Sequence, residues 1–382
     1  MSFMLALPKI SLHGAGAIGD MVELIAEKRW GKALVVTDGQ LVKMGLLDSL
    51  FAALDEHNLP YELFDEVFPN PTEALVQKGI TRFNLADCDY LIAFGGGSPI
   101  DTAKAVKILT ANPGLSVHYS GVGKVKNGGV PLVAINTTAG TAAEMTSNAV
   151  ITDSERQVKE VIIDTNLIPD IAVDDARVMV NIPSSVTAAT GMDALTHAVE
   201  AYVSVSAHPL TDANALEAIR LINTWLPKAV DDGQNLEARE MMAYGQYLAG
   251  MAFNSAGLGL VHAMAHQPGA THNLPHGVCN AILLPVVEAF NRPNAVPRFA
   301  RLAQAMGSDT QGLTDEQASH KAIEAIRALS ARVGIPSGFR ELGVQPADIE
   351  GWLDKALADP CAPCNPSPAS REEIRQLYLE AL

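Results

Sequence analysis

Tyr90-Leu91-Ile92-Ala93-Phe94-Gly95-Gly96-Gly97-Ser98-Pro99-Ile100-Asp101-Thr102 is the stretch on which the fold turns. Five apolar residues run straight into three glycines, and a proline then opens a helical pattern over Pro99–Leu109. A short, wholly apolar run reads as a strand buried on both faces. Proline at the first helical position gives up an amide that has no partner there. The glycines let the backbone approach an anion, and the amino end of the helix offers N–H groups and partial positive charge. Strand, glycine loop and helix form the unit at which parallel α/β sheets bind phosphates.

The same alternation continues outward to about residue 180. Lys32–Thr37 is a β-branched run ending at Asp38, and Val130–Ile135 runs into Asn136-Thr137-Thr138-Ala139-Gly140-Thr141. Val161–Ile163 and Ile171–Val173 read as further short strands, with helices over Leu41–Asn58 and Thr72–Asn84. Strands alternating with helices imply βαβ units and a mainly parallel sheet. After Asn181-Ile182-Pro183-Ser184-Ser185, helical periodicity persists across 186–204, 211–230, 236–268 and 317–333. Residues 359–370, rich in Pro and Ser, read as a loop before a helix over 371–381. The expected fold is an α/β domain with a Rossmann-like parallel sheet, 1–180, followed by an all-α, metal-binding domain, 181–382. A chain of 382 residues fits two domains of roughly 180–200 residues each.

A second glycine pattern, Gly14-Ala15-Gly16-Ala17-Ile18-Gly19, satisfies G-x-G-x-x-G, with Asp38 following about 20 residues on. Alone it is a weak signal, and a tight turn explains it equally well. Loops after the carboxyl ends of neighbouring parallel strands converge on one crevice. Gly95, Gly96, Gly97 and Ser98 are therefore expected beside Thr137, Thr138 and Thr141. Asp38, at a strand end, accepts hydrogen bonds from ribose hydroxyls and repels a 2′-phosphate, which favours NAD over NADP.

The helical half carries Asp193 and His197 four apart, His262 and His266 four apart, and His276 in an expected loop between Pro275 and Gly277. Residues at i and i+4 share a helix face. The chain has ten histidines, and four of them fall within 262–276. Burying several imidazoles and a carboxylate without compensation is costly, and a divalent cation resolves this. Nitrogen and carboxylate donors suit iron(II) or zinc. The pattern is not the zincin motif, because Ala263 stands where that motif needs a glutamate. Helix spacing leaves both His262 and His266 open as the ligand.

A net charge of −16 argues against a nucleic-acid partner. No apolar run reaches the ~18 residues of a spanning helix, so no membrane partner is expected. The start, Met1-Ser2-Phe3-Met4-Leu5-Ala6-Leu7-Pro8, lacks a basic region, so a secretory signal is not expected. Four cysteines are no disulfide framework, and a reducing cytoplasm is expected. Cys361 and Cys364 form a lone C-x-x-C and read as loop cysteines.

Taken together, the chain resembles the iron-containing (group III) alcohol dehydrogenases, a family that includes lactaldehyde reductase and 1,3-propanediol dehydrogenase. The likeness rests on Val36-Thr37-Asp38, Pro69-Asn70-Pro71-Thr72, Gly95-Gly96-Gly97-Ser98, Asn136–Thr141, Ala188–His197, Gly259–His266 and Leu274-Pro275-His276-Gly277. It implies metal ligands Asp193, His197, His262 and His276, with His266 beside the substrate as the catalytic proton carrier. It implies that Gly95–Ser98 holds the pyrophosphate of NAD, with Thr137, Thr138 and Thr141 around the adenosine half and Lys159 near the nicotinamide ribose; Asn70 and Asp101 complete the cofactor set. Asn148, Phe253, His272 and Cys361 are the expected pocket residues, His272 standing where relatives carry an aromatic. The glycine pattern at Gly14–Gly19 becomes a turn after the first strand, and that strand is expected to pair across a homodimer, within a dimer or higher oligomer. The implied reaction interconverts a small primary alcohol or diol and its aldehyde, with Fe2+ or Zn2+ as Lewis acid and NAD as hydride carrier. Two rivals share features of the pattern. A glycerol dehydrogenase is the nearer. A dehydroquinate synthase-like lyase would need Lys and Arg near the metal for its substrate phosphate, and 186–204 and 253–276 contain neither.

Overall fold

The computed structural model describes residues 3–156 and 158–382; Met1 and Ser2, the first residues of the stretch read for a leader, lie outside them. The first unit comprises Ala6–Thr138 and Ala142–Val180. Its elements are β1 (Ile10–His13), α1 (Ala17–Lys28), β2 (Ala33–Asp38), α2 (Gly39–Lys43), α3 (Asp48–Glu56), β3 (Tyr61–Val67), α4 (Glu73–Leu85), β4 (Tyr90–Gly95), α5 (Gly97–Leu109), β5 (Gly121–Val122), β6 (Leu132–Asn136), β7 (Asn148–Asp153), β8 (Val158–Ile163) and β9 (Ile171–Asp174). Six of the strands pair in the order β1-β9-β6-β4-β2-β3. Every pairing in that sheet is parallel. Side chains alternate across it. Leu34, Val36, Leu91, Ala93, Leu132 and Ala134 pack on one face, against α4 and α5. Ala33, Val35, Ile92, Phe94, Val133 and Ile135 pack on the other, against α1 and α3.

Several expectations change here. β1 lies at one edge of the sheet and pairs on its inner side with β9, Ile10 opposite Ile171. The helix expected over Leu41–Asn58 divides into α2 and α3, because Gly45 takes a left-handed turn at φ 71°. β3 was not foreseen. Its Glu62, Asp65 and Glu66 obscure the apolar pattern, and they are tolerated because β3 is an edge strand. β8 does not join the parallel sheet. It pairs antiparallel with β7 in a separate three-stranded sheet, β5-β8-β7.

The helical unit is Asn181–Leu382 with Ala139–Thr141 and residues 3–5. Those short pieces join it by local contacts. Ser255 Oγ donates to Met4 O at 2.7 Å, and the Phe3 ring stacks on His208. The helices are α6 (Ser184–Val203), α7 (Pro209–Asp231), α8 (Leu236–Ala256), α9 (Leu260–His272), α10 (His276–Asn291), α11 (Val296–Ala305), α12 (Asp315–Arg332), α13 (Leu353–Leu357) and α14 (Arg371–Glu380). α6 is buried almost all round, as a central helix is. A Cβ on Gly191 would meet Leu226 at 2.2 Å, so glycine lets α7 close on it. The single helix expected over 236–268 is two, α8 and α9, broken where Gly257 takes φ 73°. His276 is not in a loop: it is the first residue of α10, after an extended Pro275. Among the described residues no single helix is long and apolar enough to cross a membrane.

Candidate functional site

In the sheet unit the carboxyl ends of β2, β4 and β6 lie side by side. Gly95 is in register with Asn136, and Thr137 N donates to Gly95 O at 3.0 Å. Asn136 ties the third strand end together. Its Oδ1 accepts from Thr138 N at 3.0 Å, and its Nδ2 donates to Asp174 Oδ1 at 3.0 Å. Gly95 sits at φ 146°, and a Cβ there would meet Pro99 Cγ at 2.6 Å. Gly96, the N-cap of α5, makes no side-chain cap hydrogen bond, and the Thr138 side chain lies beside it. Asp38 ends β2, partly exposed, with Oδ1 accepting from Gln40 N at 2.6 Å. Three of the expected elements, Asp38, Gly95–Ser98 and Thr137–Thr138, are thus neighbours.

Others have structural engagements. Asp101 Oδ2 accepts from Val150 N at 3.0 Å, tying α5 to β7. Burial pushes its carboxyl up, against Lys104 and that amide. The buried Lys104 Nζ donates to the main-chain oxygens of Thr146 and Asn148, each at 2.8 Å. Asn70 takes a left-handed φ of 57° before Pro71. Lys159 lies opposite Thr152 on the β7–β8 pair. Thr141 groups with the helical unit, where Gly140 abuts Thr190. The rival loop, Gly14–Gly19, already holds an anion of its own. Asp175 Oδ2 accepts from Gly16 N at 3.0 Å and from Ile18 N at 3.4 Å, and Arg177 pairs with it at 2.7 Å.

In the helical unit, α6, α9 and the start of α10 bring Asp193, His262 and His276 together. One ligand atom from each lies within 4.8 Å of the others. His276 Nε2 is 3.7 Å and His262 Nε2 4.0 Å from Asp193 Oδ1. Gly277 permits this approach, since a Cβ there would meet Ala189 O of α6 at 2.2 Å. His197 stacks on His262, centroids 4.7 Å apart, and on Phe253 at 4.4 Å; its Nδ1 is buried without a hydrogen-bond partner among the described residues. Asn280 Nδ2 sits amid the cluster, 2.6 Å from Asp193 Oδ1 and 3.1 Å from both His262 Nε2 and His276 Nε2.

Glu200, one turn beyond His197, closes the far side. Its Oε1 accepts from Val261 N at 2.7 Å and His262 N at 3.3 Å, and its Oε2 lies against His262 Nδ1. A ring whose Nδ1–H donates to a carboxylate presents a bare Nε2. Burial pushes the Glu200 carboxyl up to about 8, while the amides facing it favour the anion. Burial holds His262 well below its usual range, in the neutral form that ligates metals. Burial also works to raise Asp193, but the three imidazoles and Asn280 outweigh it and keep the carboxyl low. An anion and bare imidazole nitrogens converging around one N–H donor fit a divalent cation.

His266 leans toward the same cluster, its ring stacked on His276 at 5.4 Å. Its Nδ1 is hydrogen-bonded to Asp359 Oδ2 at 2.8 Å, and Cys361 follows in the same short segment, its N donating to Asp359 Oδ1 at 2.9 Å. His272 faces elsewhere. Its Nε2 is 3.2 Å from Asp348 Oδ2, its Nδ1 2.9 Å from Thr271 Oγ1, and its ring meets Trp352 edge-on.

Two family models account for nearly the whole chain: "iron-containing alcohol dehydrogenase" matches residues 8–176, and the C-terminal region of the same family matches 187–382. The chain belongs to the iron-containing alcohol dehydrogenases. It is 44% identical to the NAD-dependent methanol dehydrogenase of Bacillus methanolicus, over 98% of this chain and 99% of that one. It is 43% identical to the lactaldehyde reductase of Escherichia coli K12 over the full length of both. Among solved structures, 1,3-propanediol oxidoreductase superposes with a TM-score of 0.98 at 43% identity, each chain fully covered.

For a member of this family, the residues that the sequence reading missed are mostly partners of ones it found. Glu200 stands seven residues after Asp193 and three after His197, on their helix face, and Asn280 stands four after His276. Both were open to the periodicity argument that found the histidines. Asp359 carries no such signal, since it lies in an irregular segment and meets His266 only through the tertiary fold.

Proposed function

We propose that this family member is an NAD-dependent, divalent-metal-dependent dehydrogenase that interconverts a small primary alcohol or diol with its aldehyde. The observation that carries the reading is the convergence of Asp193, His262 and His276 about one point, with the orphaned His197 nitrogen beside them. In this reading all four hold iron(II) or zinc. A cation held there acts as Lewis acid on the substrate oxygen. The nicotinamide carries the hydride.

The chain's own residues supply orientation and the proton path. Glu200 fixes the His262 ring. His266, its Nδ1 engaged by Asp359, keeps Nε2 to exchange a proton with the substrate hydroxyl. Phe253, buried against His197, serves as an apolar wall, and Cys361 lies beside the His266 pair. In the sheet unit, Gly95–Ser98 and the uncapped amino end of α5 take the pyrophosphate, Thr137 and Thr138 flank it, and Asp38 takes the ribose diol and selects NAD. The free cysteines suit a cytoplasmic enzyme. The exposed Phe3 and Met4 and the outer edge of β1 suit a homodimer.

Glycerol dehydrogenase-like chemistry is the nearer alternative. The absence of Lys and Arg from 186–204 and 253–276 disfavours a phosphorylated substrate and so a lyase of the dehydroquinate synthase kind. Anaerobic metal analysis, paired with NADH formation across methanol, ethanol, 1,2- and 1,3-propanediol and glycerol, tests the reading. The expected result is one divalent ion per chain and activity on short primary alcohols. Activity that survives complete metal removal refutes it.

A further inference from the structure

Beside the first cluster stands a second group of donors that the proposed reaction does not need as a set. His266, Asp359 and Cys361 each bring one ligand atom within 4.8 Å of the others. All three residues are half-buried. The Asp359 carboxylate is their hub. It accepts from His266 Nδ1 at 2.8 Å and from the Cys361 amide at 2.9 Å. The Cys361 sulfur lies within 4.8 Å of the other two ligand atoms. Two N–H donors point at that carboxylate, and among the described residues no Lys or Arg pairs with it.

We propose that His266 Nδ1, the Asp359 carboxylate and the Cys361 sulfur form a second cation site for a thiophilic divalent ion such as zinc or cadmium, and that filling it inhibits the enzyme. Nitrogen, oxygen and sulfur donors are the set such ions prefer. Charge balances, with one carboxylate, one thiolate and a neutral imidazole against a 2+ ion. The protons balance too. The Cys361 S–H proton leaves to solvent as the metal–sulfur bond forms, and the His266 Nδ1 proton moves to Nε2, leaving a neutral ring. Without an ion, burial and the carboxylates of Asp359 and Glu200 hold the thiol well above its usual range, so it stays protonated and unreactive. With an ion, His266 loses the bare Nε2 that carries the proton. The inhibition, though not the binding, rests on the role of His266 given above.

The test starts from anaerobic, iron-loaded enzyme without nucleotide, titrated with cobalt(II) or cadmium(II). The expected result is a second equivalent of ion at unchanged iron content, with a thiolate-to-metal charge-transfer band in the near ultraviolet. Cys361→Ala and Asp359→Asn are each expected to lose the second equivalent, and Cys361→Ala the band; Cys364→Ala keeps both. Zinc is expected to inhibit the parent enzyme, with that inhibition lost in Cys361→Ala. A single equivalent with no band overturns the site, as does a band that survives Cys361→Ala or iron released in step with the added ion. A second equivalent without inhibition keeps the site and overturns the role given to His266.

Discussion

Glu200→Gln separates the metal site from the fold that carries it. The wild-type carboxylate takes Val261 N–H at 2.7 Å and His262 N–H at 3.3 Å on one oxygen, and the His262 ring N–H on the other. Glutamine keeps the shape and one acceptor. If its carbonyl keeps the two amides, its NH2 faces His262 Nδ1. A donor there drives the ring proton to Nε2, the nitrogen that faces Asp193 and Asn280. The loss is one charge-assisted hydrogen bond, about 1.5–3 kcal/mol. That is roughly 10- to 150-fold in affinity, in line with the 10- to 100-fold usual for an outer partner of a ligating histidine. The assay is anaerobic titration of the apo protein with iron(II) against a competing chelator. Circular dichroism and NAD binding serve as readouts of an intact fold. A well-folded Glu200→Gln protein whose metal affinity stays within about twofold of the parent, the scatter expected of uncoupled sites, refutes the reasoning.

Further outcomes follow from the same geometry. Gly95→Ala places a Cβ 2.6 Å from Pro99 Cγ at φ 146° and should cost about 1–3 kcal/mol along with NAD affinity, whereas Gly19→Ala meets nothing within 4 Å and should be neutral or stabilising; thermal melts and NAD titration check both. Asp38→Gly should relax discrimination against NADP at little cost in stability, because glycine is a tolerable N-cap; kcat/KM with each cofactor reads it, and an unchanged ratio counts against Asp38. Glu288 is buried, and burial followed by the charge of Glu200 raises its carboxyl from 4.5 to about 8. The folded state therefore holds a proton that the unfolded chain has released. Apo-protein stability should fall as pH rises from 4.5 toward 8, by up to about 1.4 kcal/mol per pH unit from this group. Glu288→Gln should flatten that decline in urea melts; parallel pH profiles would contradict it.

Much of this was legible because the decisive residues obey short periods. Tyr90–Ser98 announced a strand, a phosphate loop and a helix, and β4 and α5 stand there. The i, i+4 pairs on α6 and α9 announced the histidine cluster. What escaped was tertiary. Nothing local says that β8 turns back on β7 rather than joining the main sheet. Asp175 lies far along the chain from Gly16, yet its carboxylate takes the Gly16 and Ile18 amides. The partners of His272 escaped too: at the end of α9 its ring meets Asp348 and Trp352. Asp359 orients His266 across 93 residues of sequence.

Anomalous diffraction at the iron edge, on crystals grown anaerobically with iron(II) as the sole added metal, tests the central claim most directly. The account predicts one strong peak, bounded by Asp193, His197, His262 and His276, with Asn280 turned aside. A peak on other residues, or density at that point explained by the Asn280 amide alone, would contradict it.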